Sequence, residues 1–169
     1  MSSKAIAVFD PGMTTGLVVA VFTADTPVEI IGKFEIPGGL DGADAYSSRV
    51  GLGGYDIVVC EKFRMTPRVR TAEQVEPLRI EGSVHAWNRP VVWQYPDKML
   101  LAGGHHGSPG RNKTAADNIL RALGLWTLPR EVDNHTDAND INSAMKHLVA
   151  YLRDQGHEPT LEALRNAMR

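Results

Sequence analysis

Apolar and polar positions change period several times along this chain, and each change predicts an element. Residues 4–9 form an apolar, β-branched run that stops at Asp10-Pro11-Gly12, a strong turn signal. A second run, residues 16–22, is broken by Asp25-Thr26-Pro27, and a third, residues 28–36, is closed by Pro37-Gly38-Gly39. Three strands with short breaks predict an antiparallel meander. A short helix is expected over residues 41–50. In residues 56–60, Ile57, Val58 and Val59 are consecutive, the pattern of a central parallel strand covered on both faces, and this run ends at Glu61.

Helical spacing follows in residues 71–87. Val75, Leu78, Gly82 and Ala86 make one stripe, and Ile80, Val84 and Trp87 make another. Two stripes imply burial by the sheet and by something else, such as a second subunit. Pro77 is tolerable there only near the first turn. Residues 91–95 read as a fifth strand, and residues 103–110 (GGHHGSPG) as a mobile loop. Ala115, Ile119, Leu120 and Leu123 mark a helix that ends at Gly124. The clearest helix carries Ile141, Ala144, Met145, Leu148, Val149 and Leu152 on one face, and residues 161–168 form a last short one. The order predicts one α/β domain over residues 1–169, built on a mixed sheet.

Composition narrows the class. The chain has 169 residues, of which 43% are hydrophobic and 22% charged, the balance of a globular protein. The longest apolar stretch, residues 17–22, is too short to span a bilayer, and no secretory leader is expected. One cysteine, Cys60, excludes an internal disulfide and a Cys-based zinc site and suits a reducing, cytoplasmic setting. The net charge of −2 argues mildly against nucleic acid, because neutralising phosphates usually takes a basic surplus.

The acids change that picture. Asp10 and Glu61 each end an apolar strand, so the two emerge together if the strands are neighbours. Strand ends also meet solvent, where acids are comfortable. Asp137 and Asp140 stand at i and i+3 at the start of the clearest helix, in line with Ile141, Ala144 and Leu148. Acids there cap a helix and complement its dipole, yet neither role requires the core-facing side. Four converging carboxylates need cations, and all-oxygen clusters suit Mg²⁺ or Mn²⁺. Two such ions clamp the attacking and leaving oxygens of a phosphoryl displacement, so a phosphodiester or phosphate ester is the expected substrate. Removing the four candidate ligand charges leaves the rest of the chain at +2.

Cations cluster beside that site. Lys62, Arg64, Arg68 and Arg70 follow Glu61 with no acid between them, an arrangement that attracts a polyanion when it is not simply a solvated loop. Arg111 and Lys113 border the glycine-rich segment and offer further phosphate contacts, and Phe63 and Met65 could wedge against bases. His105 and His106 lack a third ligand at metal spacing. His147 reads as surface or partly buried structure on a polar flank, Cys60 as core, and Trp87, Trp93 and Trp126 as packing.

AVFDPGMTTG, IVVCEKF, the basic and helical segment and DANDINSAMKH together resemble the RuvC-type Holliday-junction resolvases, most closely the bacteriophage RuvC-like subgroup. The resemblance runs over residues 4–152. It implies an RNase H-like fold with a five-stranded mixed sheet flanked by helices, a homodimer, and endonucleolytic cleavage of branched DNA with two divalent cations per site, in the cytoplasm of a bacterial host. Asp10 then matches the first-strand acid, Glu61 the fourth-strand acid, and Asp137 and Asp140 the last-helix pair. Lys98 or Lys113 matches a phosphate-contacting lysine, and Ile141 departs from the alanine usual after the last acid. Three alternatives stay open. One is a flap, fork or general nuclease of the same fold, and another a DNA-bridging dimer without catalysis. The third is an ATP-binding protein of the sugar-kinase, actin and Hsp70 class, which the DPGMTTG segment also resembles.

Overall fold

The computed structural model describes residues 2–50, 54–63, 71–86, 90–96, 109–128 and 139–167. Its elements are β1 (Lys4–Asp10), β2 (Thr14–Phe22), β3 (Glu29–Pro37), α1 (Gly39–Val50), β4 (Ile57–Glu61), α2 (Ala72–Ala86), β5 (Val91–Gln94), α3 (Pro109–Ala122), α4 (Asn139–Asp154) and α5 (Glu158–Ala167). The strands form one five-stranded sheet in the order β3-β2-β1-β4-β5. β1, β2 and β3 make the expected antiparallel meander. β4 lies parallel to both β1 and β5. The fold class is therefore α/β, built on a mixed five-stranded sheet flanked by helices.

Period-2 alternation divides the strands between two cores. Ile6, Val8, Val18, Ala20 and Val59 face α4, with α3 and α5 packed beyond. Ala7, Phe9, Leu17, Val19, Val58 and Cys60 face the other way, against α1 and α2. α4 is the central helix, and residues from Ile141 to Leu152 are buried along it almost without interruption. No helix among the described residues is long and apolar enough to cross a membrane.

Some boundaries differ from the sequence expectation for physical reasons. α3 begins at Pro109, inside the segment read as a glycine-rich loop. A proline at the first helical position sacrifices no bonded N–H and starts helices well. α5 begins at Glu158 rather than Leu161, because Pro159 also falls in a first turn. Pro77 sits in the second turn of α2, later than expected. Of the two α2 stripes, Ile80 and Val84 are fully buried, Val75 and Leu78 are half-buried, and Gly82 and Ala86 are exposed.

Candidate active site

Parallel pairing of β1 and β4 aligns Phe9 with Cys60, which puts the next residues, Asp10 and Glu61, side by side at the carboxyl end of the sheet. Alternation fixes their direction. Asp10 follows Ile6 and Val8, and Glu61 follows Ile57 and Val59, so both acids point to the face that α4 covers. Asp140 lies in the first turn of α4, close enough to act electrostatically on Asp10.

Gly16 makes this approach possible. It pairs with Asp10 across β1 and β2, and a Cβ there would lie 2.1 Å from the backbone oxygen of Asp140. A bare backbone at Gly16 thus lets the start of α4 rest on the sheet beside Asp10. The turn between β1 and β2 is braced from below, since the Met13 carbonyl accepts bonds from Gly38 N (3.1 Å) and Gly39 N (2.9 Å).

Burial raises the Asp10 carboxyl well above its ordinary value, and the Glu61 charge, a hydrogen bond with Glu61 and the Asp140 charge add to it. Burial also raises Glu61, whereas the bond from Asp10 lowers it. Two buried acids this close repel each other when both are charged, so the site favours a group that neutralises them.

His147 corrects the sequence reading. It is completely buried, and its Nε2 lies 2.9 Å from Glu61 Oε2. Its Nδ1 meets the side-chain amide of Gln94 at 2.7 Å. With the amide nitrogen toward the ring, Gln94 donates to Nδ1 and to the His147 carbonyl (3.2 Å), and its oxygen accepts from Tyr151 N–H (3.3 Å). An Nδ1 that accepts leaves the ring proton on Nε2, which donates to Glu61. Asp140, Ala144, His147 and Tyr151 fall at i, i+4, i+7 and i+11, so His147 lies two turns below Asp140 on one face. That spacing was readable; the partner, Gln94, lies 53 residues away in sequence.

Further contacts hold the strand ends. Lys62 N donates to the Gln94 carbonyl at 2.6 Å, and Phe63 N donates to the carboxylate of Glu81, a largely buried α2 residue that the sequence did not single out. Burial raises Glu81, against the lowering effects of the Phe63 bond and the charges of Lys62 and His85. The exposed Lys62 ammonium sits 5.7 Å from the centre of the Tyr95 ring. On α4, Asn142 exchanges two bonds with the backbone of Thr127 (2.9 and 3.0 Å), and buried Lys146 pairs with Asp117 of α3.

The structure thus brings together Asp10, Glu61, Asp140 and Lys62. Asp137, Arg64, Arg68, Arg70, Met65, Lys98, His105, His106 and Trp87 lie outside the described residues. Arg111 and Lys113 fall at the start of α3. Cys60 is buried, and burial pushes its thiol up, so it is inert core as expected. Trp93 stacks on His85 and Trp126 on Arg121, both as packing residues.

Among the described residues no three His, Cys, Asp or Glu side chains already surround one point. Among the described residues the acids that could meet a cation are the pair Asp10 and Glu61, with Asp140 near Asp10. Their all-oxygen chemistry suits a hard divalent ion.

No family model matches the sequence, and neither does any curated protein. Solved structures do. Thermus thermophilus RuvC matches with a TM-score of 0.55 and 18% identity, over 90% of this chain and 97% of that one. The same protein in complex with a Holliday junction substrate gives 0.56 and 15%, over 90% and 96%. Fowlpox virus resolvase with its substrate Holliday junction DNA gives 0.56 and 16%, over 89% and 98%. The chain has the RuvC resolvase fold. Identities this low establish shared architecture, and chemistry must be argued from the acids themselves.

Proposed function

We propose that this protein is a divalent-metal-dependent endonuclease that hydrolyses phosphodiester bonds in branched DNA, with the four-way junction as its substrate. The observation that carries the reading is the buried Asp10–Glu61 pair at the ends of parallel β1 and β4, with Asp140 delivered to it by α4. Burying two carboxyl groups against each other is costly unless a proton or a cation intervenes. A site that does so at the open end of a sheet is built to exchange one for the other. Its fold is that of two resolvases whose structures contain Holliday junction DNA.

In this reading Asp10, Glu61, Asp137 and Asp140 hold Mg²⁺ or Mn²⁺, two ions per site. Bound divalent ions supply charge stabilisation to phosphoryl and leaving oxygens. The chain's own groups do the rest. Gly16 sets the distance between Asp140 and Asp10. Lys62 stands beside Glu61 to receive a backbone phosphate, with Arg64, Arg68 and Arg70 continuing the basic track and Arg111 and Lys113 adding to it from α3. A homodimer places two such sites on two strands of like polarity. The α2 face with half-buried Val75 and Leu78 and exposed Gly82 and Ala86 is the proposed contact.

The close approach of Gly16 to Asp140 also bears on the ATP-binding alternative. It gives the second glycine of DPGMTTG a packing role that needs no nucleotide. The test is Asp10→Asn, which should abolish cleavage of a four-way junction while largely sparing junction binding in a gel-shift assay. Wild-type cutting by that variant would overturn the proposal.

A further inference from the structure

Glu61 sits at the very end of its strand, and a glutamate there has three side-chain torsions to fix before its carboxylate can serve as a ligand. Asp10 is shorter and lies beneath α4, but Glu61 needs an outside brace. Such a bond to the Glu61 carboxylate comes from His147 Nε2, at 2.9 Å.

His147 is itself fixed. The ring is completely buried, and Gln94 holds its Nδ1 at 2.7 Å. Gln94 is anchored twice more, to the His147 carbonyl and the Tyr151 N–H, one turn apart on α4. The strand register places Gln94 opposite Glu61, so the bracing group is rooted in the strand next to the one it serves. A buried histidine between two polar side chains from two strands is an expensive arrangement for packing alone, since an apolar residue would fill the same volume. The chain of bonds runs from β5 through α4 to β4, and it ends on Glu61 Oε2.

From this geometry we infer that His147 and Gln94 are positioning residues for metal binding. Gln94 fixes the imidazole with its proton on Nε2, and Nε2–H holds one Glu61 oxygen so that the other is presented toward Asp10. Neither residue is a ligand or touches the substrate. The inference rests on the proposed cation site at Asp10 and Glu61. Groups that orient a ligand in this way commonly change metal affinity by about 10–100-fold when removed.

Mn²⁺ titration of the purified full chain, followed by calorimetry, tests this directly. Folding is checked by circular dichroism and the cleavage rate is read at saturating Mn²⁺. His147→Phe keeps the volume and removes the donor; it should bind Mn²⁺ about 10–100-fold more weakly. His147→Gln, whose amide nitrogen can replace Nε2, should recover most of the affinity. Gln94→Leu leaves the ring but frees it, and should weaken binding several-fold, which keeps the test available if His147→Phe does not fold. Folded His147→Phe or Gln94→Leu with wild-type Mn²⁺ affinity would overturn the inference. A wild-type protein that binds Mn²⁺ no better than Asp10→Asn would instead overturn the metal site on which it rests.

Discussion

Asp10 and Glu61 end adjacent parallel strands and share a hydrogen bond between their carboxyl groups on the face covered by α4. A divalent cation would relieve the repulsion between these two buried acids. Adding Mg²⁺ or Mn²⁺ should therefore stabilise the protein, by about 2.7 kcal/mol at a hundredfold excess over Kd. In a thermal melt that is a rise on the order of 5–10 °C. Asp10→Asn should lose most of this response, and without metal it should melt no lower than wild type, because the substitution relieves the crowding of two acids. Equal metal-induced shifts in both proteins would count against the site.

Gly16 and Asp140 supply a second test. A methyl group at position 16 would meet the Asp140 backbone at 2.1 Å, and backbone cannot swing aside as a flexible side chain can. Gly16→Ala should cost about 1–3 kcal/mol in a urea melt. It should also lower cleavage by more than tenfold, since α4 must retreat from Asp10. A variant with wild-type stability and rate would show that α4 does not rest on β2 in solution.

Acid should loosen the junction of α1 and α2 through Glu76. Its carboxylate accepts the Leu40 N–H at 2.6 Å and pairs with Arg79 at 2.9 Å. The Leu40 bond is the largest cause that holds it below its ordinary value of 4.5, and Arg79 adds to it. Folded Glu76 thus takes up a proton less readily than unfolded Glu76. Its stabilisation is complete above the ordinary value and is lost as pH falls from there toward the lowered folded value. Denaturant melts from neutral pH downward should show a shallower acid dependence for Glu76→Gln than for wild type. Parallel curves would contradict this role.

Much of the site could be read before the fold was known. Apolar runs that end abruptly in Asp10 and Glu61 declare both strand and acid, and parallel pairing then needs no further information to bring them together. Asp140 was legible for a similar reason, as an acid in line with the buried stripe of α4. His147 was not. A histidine on an amphipathic helix looks like a polar flank, and what makes it part of the site is Gln94 and Glu61, both remote in sequence. Gly16 looked like part of a phosphate loop because its actual neighbour, the Asp140 backbone, comes from the far end of the chain. Pro109 and Pro159 concealed helix starts, because proline breaks a helix interior but suits a first turn.

The proposed activity is cleavage of branched DNA by a cation-dependent site, and a single assay on three substrates measures it. Wild-type protein is incubated with end-labelled four-way junction, flap and linear duplex DNA, each with Mg²⁺, Mn²⁺ or EDTA. Paired, symmetric nicks in the four-way junction are expected with either metal and none with EDTA, with little cutting of linear duplex. Cleavage that persists in EDTA, or no cleavage of any branched substrate with either metal, would contradict it.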